Sequence, residues 1–347
     1  MRTYHHLTMS DRLQIEAWLK SKTSKAEIAN LLGVHVSTIY RELERGQYEH
    51  LNTDYTTEIR YSPDIAEERY QENLRAKGAP LKIGNDHEFA RYIEKKIAED
   101  KYSPGAVLSE IEHEGRIFET KISKTTLYRY IDIGVFLRVT NKSLPVKRDK
   151  TKRKYKKVRP SRAPKGESIE KRPEEINTRE TFGHWEMDCV EGKKGTKKTL
   201  LVLTERKTRG EIIRLMDEKT AASVNATLDE IEKSIGEEQF RRIFQTITVD
   251  NGSEFSDYRG IERSSIGEED RTKIYVCHPY CSYERGSNEN QNKLVRRHFP
   301  KGFDFSGVST EEVTRVENWI NSYPREMFGG ACSAELFSDC IFDLFSA

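Results

Sequence analysis

Three short words in the chain place an acid where local structure changes: Gly183-His184-Trp185-Glu186-Met187-Asp188, Thr248-Val249-Asp250-Asn251-Gly252-Ser253-Glu254-Phe255 and Gly286-Ser287-Asn288-Glu289-Asn290. Asp188 lies in an alternating run, Trp185-Glu186-Met187-Asp188-Cys189-Val190, that reads as a strand. Asp250 follows a second strand-like run, residues 243–249, and Asn251-Gly252 supplies the turn that ends it. Glu289 comes after the Gly286 breaker, at the start of a segment whose Leu294, Val295 and Phe299 predict a helix packed on the sheet and aiming Glu289 at the strand ends. Three carboxylates so gathered make a hard, oxygen-rich pocket of the kind Mg2+ or Mn2+ prefers. Two such ions ~3.5–4 Å apart clamp the attacking and leaving oxygens of an in-line phosphoryl displacement, which suits cutting or joining a nucleic-acid backbone.

With 57 Asp and Glu in the chain, a single acid at a strand end is ordinarily just solvated. The neighbouring words single these out. His278-Pro279-Tyr280-Cys281-Ser282-Tyr283-Glu284-Arg285-Gly286-Ser287-Asn288-Glu289-Asn290-Gln291-Asn292 and Phe299-Pro300-Lys301-Gly302 closely resemble the DDE transposases of bacterial insertion sequences, specifically the IS-thirty family. So do His184-Trp185-Glu186-Met187-Asp188, Glu205-Arg206-Lys207-Thr208-Arg209 and residues 248–255, and the resemblance spans nearly the whole chain. It implies a ribonuclease-H-like core with Asp188, Asp250 and Glu289 as the catalytic and metal-binding triad for two Mg2+ ions, Mn2+ being possible. One ion would lie between Asp188 and Asp250 and the other between one of these and Glu289. Water then attacks one strand, and the freed 3′-hydroxyl attacks a second phosphodiester. The resemblance also implies double-stranded DNA as partner (terminal inverted repeats and target), a joined-ends or circular intermediate and a homo-oligomeric synaptic complex. The stretch from Asp250 to Glu289 is several residues longer than the family's, and by spacing alone Glu284 competes. Glu289 is preferred because it stands in the Asn-Glu-Asn word, with the excess read as a loop insertion between Ser256 and Arg271.

At 347 residues, 33% of them charged and with mean hydropathy −0.79, the chain reads as a highly polar multidomain protein. No apolar run approaches the ~20 residues of a membrane span and the N-terminus lacks a signal h-region, so a cytoplasmic, nucleoid-associated protein without membrane contact is expected. Net charge is only +2, so the informative quantity is where the bases lie. Five cysteines without a Cys-x-x-Cys pair argue against a disulfide framework and a zinc ribbon. The neighbours Cys277, His278 and Cys281 have no second cluster to complete a metal site.

Ahead of the core, residues 8–20 predict a helix capped at Thr8 or Ser10, and residues 24–32 a second; Gly33 then turns into a third beginning at Val36. That is helix-turn-helix spacing, placing Ser37, Thr38 and Arg41 on DNA while Val36, Ile39 and Leu43 pack inward. Residues 62–83 read as an exposed helical connector. A helix through Phe89, Ile93 and Ile97 and a capped one from Ser103-Pro104 follow. Thr126-Leu127-Tyr128-Arg129 then echoes Thr38-Ile39-Tyr40-Arg41, predicting a second helix-turn-helix with Lys124, Thr126 and Arg129 toward DNA. Between residues 142 and 173 lies a basic, Pro-punctuated linker in which Arg153 and Lys156 stand for sequence-independent phosphate contacts. Arg296 and Lys293 share the face of Glu289, where Arg296 is expected to hold phosphates. Near the end, Tyr323, Glu326 and Ser333 replace the family's more usual Arg, Lys and Pro.

The expected architecture is α+β and multidomain: a helix-turn-helix domain (1–60), a second helical helix-turn-helix domain (61–140), the basic linker (141–178) and a ribonuclease-H-like α/β catalytic core with a mixed sheet (179–347). A DNA transposase is the functional expectation. Its rivals are a DNA-binding regulator that keeps the architecture but does not cut, and a nuclease that hydrolyses without joining.

Overall fold

A computed structural model describes residues 6–76, 81–145, 166–279 and 281–346, and the chain divides into two compact units, Met1–Leu81 and Lys82–Ala347. In the first, α1 (Met9–Lys20) starts at Thr8, whose hydroxyl accepts from the Asp11 N–H while Asp11 accepts from that of Thr8. Ser24 caps α2 (Lys25–Leu31), and Gly33, at φ +65°, makes the turn into α3 (Val36–Gly46). Ile15, Ile28 and Ile39 are fully buried, with Val36 and Leu43 packed against them, so α3 buries the face its sequence predicts. Arg41 is exposed, and Ser37 and Thr38 are half-buried at the helix start.

Past α3 the chain forms an antiparallel hairpin, β1 (Gln47–Leu51) and β2 (Thr57–Tyr61). The helix α4 (Pro63–Ala76), expected as an exposed connector, instead packs on α1 and α3. Its Ala66 is fully buried, and its Glu67 lies 2.5 Å from the buried guanidinium of Arg12, which also holds Glu42 of α3 at 2.7 Å. A buried cation is costly without such partners, and this one ties α4 to the helix-turn-helix.

In the second unit α5 (His87–Glu94) runs on through a π-turn to Glu99, α6 (Pro104–His113) starts from a Ser103 cap with Pro104 in its first turn, and α7 (Lys124–Asp132) starts from Ser123. A one-turn α8 (Glu175–Thr178) precedes the core, in which β3 (His184–Glu191), β4 (Thr199–Glu205) and β5 (Glu211–Met216) form a meander. Next come α9 (Ala221–Ile235), α10 (Glu237–Ile243), β6 (Thr246–Val249), α11 (Tyr258–Glu262), β7 (Lys273–Val276), α12 (Gly286–His298), α13 (Thr310–Asn321) and α14 (Ser333–Ser346). The sheet order is β5-β4-β3-β6-β7, with β4 antiparallel to β3 and β5, β6 parallel to β3 and β7 parallel to β6. That is the mixed sheet of a ribonuclease-H-like core.

Alternation along β4 separates two cores, as a pleated strand buried on both faces requires. Leu201 and Leu203 join Val224, Leu228 and Phe240 on one side; Leu200 and Val202 join Leu294, Val295 and Val316 on the other. The latter core also includes Phe89, Ile93, Leu127 and Tyr130, so α5–α7 pack with the sheet. Polar contacts reinforce this: the Trp319 indole donates to the Asp100 carbonyl at 2.8 Å, and the Tyr323 hydroxyl accepts from the Ser103 N–H at 3.0 Å. Tyr323 is thereby a packing residue.

Two local differences from the sequence reading have physical causes. Ile243 ends α10 and Phe244 caps it, where a strand was expected; Phe244 stacks on Trp185 with ring centroids 4.6 Å apart, and the Trp185 indole donates to the Ile243 carbonyl. The excess between Ser256 and Arg271 is an anchored excursion. It carries α11, and the fully buried Arg271 donates to Asp229 at 2.7 Å and Glu232 at 3.1 Å on α9.

Candidate active site

The parallel register of β3 on β6 pairs Glu186 with Thr248. Two residues further along each chain stand Asp188 and Asp250, so the sheet itself brings these two acids side by side. Side chains on one face of a strand recur every second residue, which puts Glu186, Asp188 and Val190 together on the face of β3 that α12 crosses. Glu186, fully buried, accepts from the Asn288 N–H in the first turn of α12 at 2.8 Å and from Arg206 at 2.5 Å. Burial draws the Arg206 guanidinium down to about 10, against the pull of Glu186. One turn along α12, Asn292 donates to Asp188 Oδ2 at 2.8 Å and to Asn288 Oδ1 at 2.7 Å.

Between the two aspartates lies the guanidinium of Arg285, from the short 3₁₀ turn Ser282–Arg285 that leads into α12. Its Nη2 is 2.8 Å from Asp250 Oδ2, and its Nη1 is 3.3 Å from Asp188 Oδ1 and 3.1 Å from the Met187 carbonyl. The other Asp250 oxygen accepts from the Gly252 N–H at 2.9 Å. Burial pushes the Arg285 pKa down, but the charges of Asp188 and Asp250 outweigh it and hold the group above its ordinary value.

The structure thus brings together Asp188 and Asp250, and leaves Glu289 exposed on α12, three residues before Asn292. Glu284 faces elsewhere: it accepts from the His278 N–H and from His278 Nδ1, both at 2.8 Å. Among the described residues no three His, Cys, Asp or Glu side chains are gathered closely enough to hold a metal ion. The donor set nevertheless fits a hard cation, because two carboxylates already converge on one positive group and the Oδ1 of Asn292 beside them is buried without a described partner. All five cysteines are free of disulfides, and burial pushes the Cys277 thiol up to about 12.

Of the expected DNA contacts, Arg129 is exposed on α7 and Thr126 half-buried in its first turn, while Lys124 pairs with Glu326 at 2.6 Å. Arg296 turns back onto the Glu191 carbonyl at 2.9 Å, and Lys293 donates to Asn290. Arg153 and Lys156 lie outside the described residues. Sequence reasoning missed Arg285 and Asn292. The available signals were the position of Arg285 immediately before α12 and the Asn288, Asn292 spacing of one helical turn.

Residues 3–46 match the family model described as "Helix-turn-helix domain". The chain is 32% identical to the "Probable transposase for insertion-like sequence element IS1161" of Streptococcus salivarius, over 97% of this chain and 95% of that one. It is 30% identical to the "Transposase for insertion sequence element IS4351" of Bacteroides fragilis, over 97% and 96%. The chain belongs to the IS30 (IS-thirty) family of insertion-sequence transposases. A further relative, "Transposase InsI for insertion sequence element IS30C" of Escherichia coli K12, is 27% identical over 94% of this chain and 81% of its own length. No described helix of this family member is long and apolar enough to cross a membrane.

Beside the acids, His184 opens β3 with its Nδ1 2.9 Å from Thr246 Oγ1. Burial, helped by Arg206 and Arg172, lowers its pKa to about 4. Unfolded chain therefore takes up the proton first as pH falls, so the stability held by neutral His184 is complete above about 6.5 and is lost toward about 4. The loss reaches about 2 kcal/mol by about pH 5. In denaturant titrations at neutral and acidic pH, His184→Gln should lose correspondingly less stability than the wild type; equal losses would remove His184 from the acid response.

Proposed function

We propose that this chain is an active DNA transposase that binds the terminal inverted repeats of its element and performs metal-dependent strand cleavage and strand transfer. The observation that carries the reading is the convergence of Asp188, within β3, and Asp250, just past the end of the adjacent parallel β6, on one shared positive group. Asp188, Asp250 and Glu289 would hold two Mg2+, or Mn2+, ions. Bound there, such ions polarise the scissile phosphate and lower the pKa of the attacking water or hydroxyl.

This chain's own residues do the positioning. Glu186 and Asn292 fix α12 across β3, and Glu289 lies exposed in the turn of that helix between Asn288 and Asn292. Sequence readout belongs to α3 through Ser37, Thr38 and Arg41, and to α7 through Lys124, Thr126 and Arg129. Arg153, Lys156 and Arg296 contribute phosphate contacts. Engaging two element ends calls for a homo-oligomeric synaptic complex, and the reaction belongs with DNA in the cytoplasm and nucleoid.

The test is to incubate the purified chain with labelled duplex carrying the element's own end, with Mg2+ or Mn2+. Nicks at the end followed by joined products are expected. Specific binding without cleavage under either metal would make the chain a regulator, and cleavage without joining a nuclease.

A further inference from the structure

Two carboxylates side by side repel unless a cation lies between them, and in this fold the cation is supplied by the chain itself. Each aspartate has one oxygen committed to the scaffold, Asp188 Oδ2 to Asn292 and Asp250 Oδ1 to the Gly252 N–H. The two remaining oxygens, Asp188 Oδ1 and Asp250 Oδ2, both face Arg285. Asp188 and Asp250 are two of the three residues that would hold the divalent ions in the reading above. Arg285 is only 14% exposed there, so its positive group fills the space as well as offsetting the charge.

The turn that carries Arg285 is itself tethered. Its neighbour Glu284 grips His278 by both ring and backbone, and His278 Nε2 lies 3.2 Å from Glu170. This holds the turn that carries Arg285 near the end of β7, just ahead of α12.

We infer that Arg285 is a built-in counter-cation that competes with the divalent metal for Asp188 and Asp250, and that it gives them up when a DNA phosphate takes the guanidinium. The inference rests on the metal-dependent reading proposed above. Arg285 suits this exchange because its planar fork binds carboxylate and phosphate oxygens with the same geometry. In DNA-free protein it keeps the acid pair neutralised and the metal weakly bound; on DNA it becomes a phosphate contact beside the reacting backbone. Metal loading is then coupled to substrate, which restrains cleavage by protein that has not engaged DNA. Toward the metal Arg285 acts only through the acids, and toward DNA it is a phosphate contact.

A site occupied by its own side chain shows an affinity reduced by the fraction of time it is vacated. The experiment is Mn2+ binding to the DNA-free full chain, followed by the loss of the free-ion electron paramagnetic resonance signal, for wild type, Arg285→Gln, Arg285→Lys and Asp250→Asn. Arg285→Gln should bind Mn2+ about tenfold to a hundredfold more tightly than wild type, the range set by a charge-assisted contact made to two acids. Arg285→Lys, a point charge that cannot fork across both carboxylates, should fall between them. Adding duplex end DNA should strengthen Mn2+ binding more in the wild type than in Arg285→Gln. A Gln variant that folds only when Mn2+ is supplied would support the inference equally, since the ion then replaces the missing cation.

Equal Mn2+ affinity in all three Arg285 forms would overturn the inference. If Asp250→Asn still weakens Mn2+ binding in that case, the metal-dependent reading stands and only the role of Arg285 fails. If Asp250→Asn leaves Mn2+ binding unchanged, the metal site itself is misplaced.

Discussion

Asp250→Asn should reduce metal-dependent cleavage of a duplex carrying the element's end by roughly 10³-fold or more while leaving binding to that duplex in place. The variant is close to isosteric. Its amide oxygen can still accept from the Gly252 N–H, which Asp250 Oδ1 does at 2.9 Å, so the turn after β6 persists. What disappears is a negative charge at the end of a strand whose register with β3 places it beside Asp188. Removing one anionic ligand costs the several kcal/mol by which a bound ion stabilises charge developing on the phosphate. The proposed DNA readout lies on α3 and α7, in segments apart from Asp250, so band shifts should not change with the cut. Cleavage by the variant within an order of magnitude of wild type would remove Asp250 from the reaction.

How the acids came to be visible in sequence, and Arg285 did not, follows from what each contributes to local pattern. Asp188 sits in a strand whose alternation is enforced by two cores, with Met187 buried on one side and Val190 on the other. Asp250 ends a short, fully buried strand. Such positions leave a period-2 signature. Arg285 leaves none: it is one charged residue in a turn, and its partners lie on strands many residues away. The hairpin of β1 and β2 was illegible for a different reason. With Tyr55 and Ile59 largely exposed and β2 open along most of its length, it has no buried face to impose alternation. Ile243 and Phe244 misled because a short apolar pair fits a buried strand or a helix end equally well. Only the Trp185–Phe244 stack decides between them, and it is a tertiary fact. The connector reading of α4 failed on burial too, since a small residue such as Ala66 gives little hydrophobic signal, and the Arg12 network joins distant segments.

Glu289→Gln should lose cleavage by roughly 10³-fold, whereas Glu284→Gln should lose no more than about tenfold. The two acids compete for one role by sequence spacing, and their surroundings separate them. Glu284 is spent on its own loop: it holds the His278 N–H and ring, and by doing so it keeps the imidazolium favoured above the ordinary histidine range. A glutamine there retains an acceptor for the backbone N–H and loses only the charge toward the ring. The expected consequence is a loosened turn ahead of α12, with a modest fall in rate and a pH dependence shifted by the altered His278. Glu289 has the opposite setting. It is exposed on α12 while its neighbours Asn288 and Asn292 hold that helix to β3 and to Asp188. An uncommitted carboxylate on a helix so fixed is what a third metal ligand requires, because it can move to the ion without breaking a structural contact. Steady-state cleavage under both Mg2+ and Mn2+ tests the pair. Retained cleavage in Glu289→Gln together with its loss in Glu284→Gln would reverse the assignment and make the His278 contact a resting state of the catalytic acid.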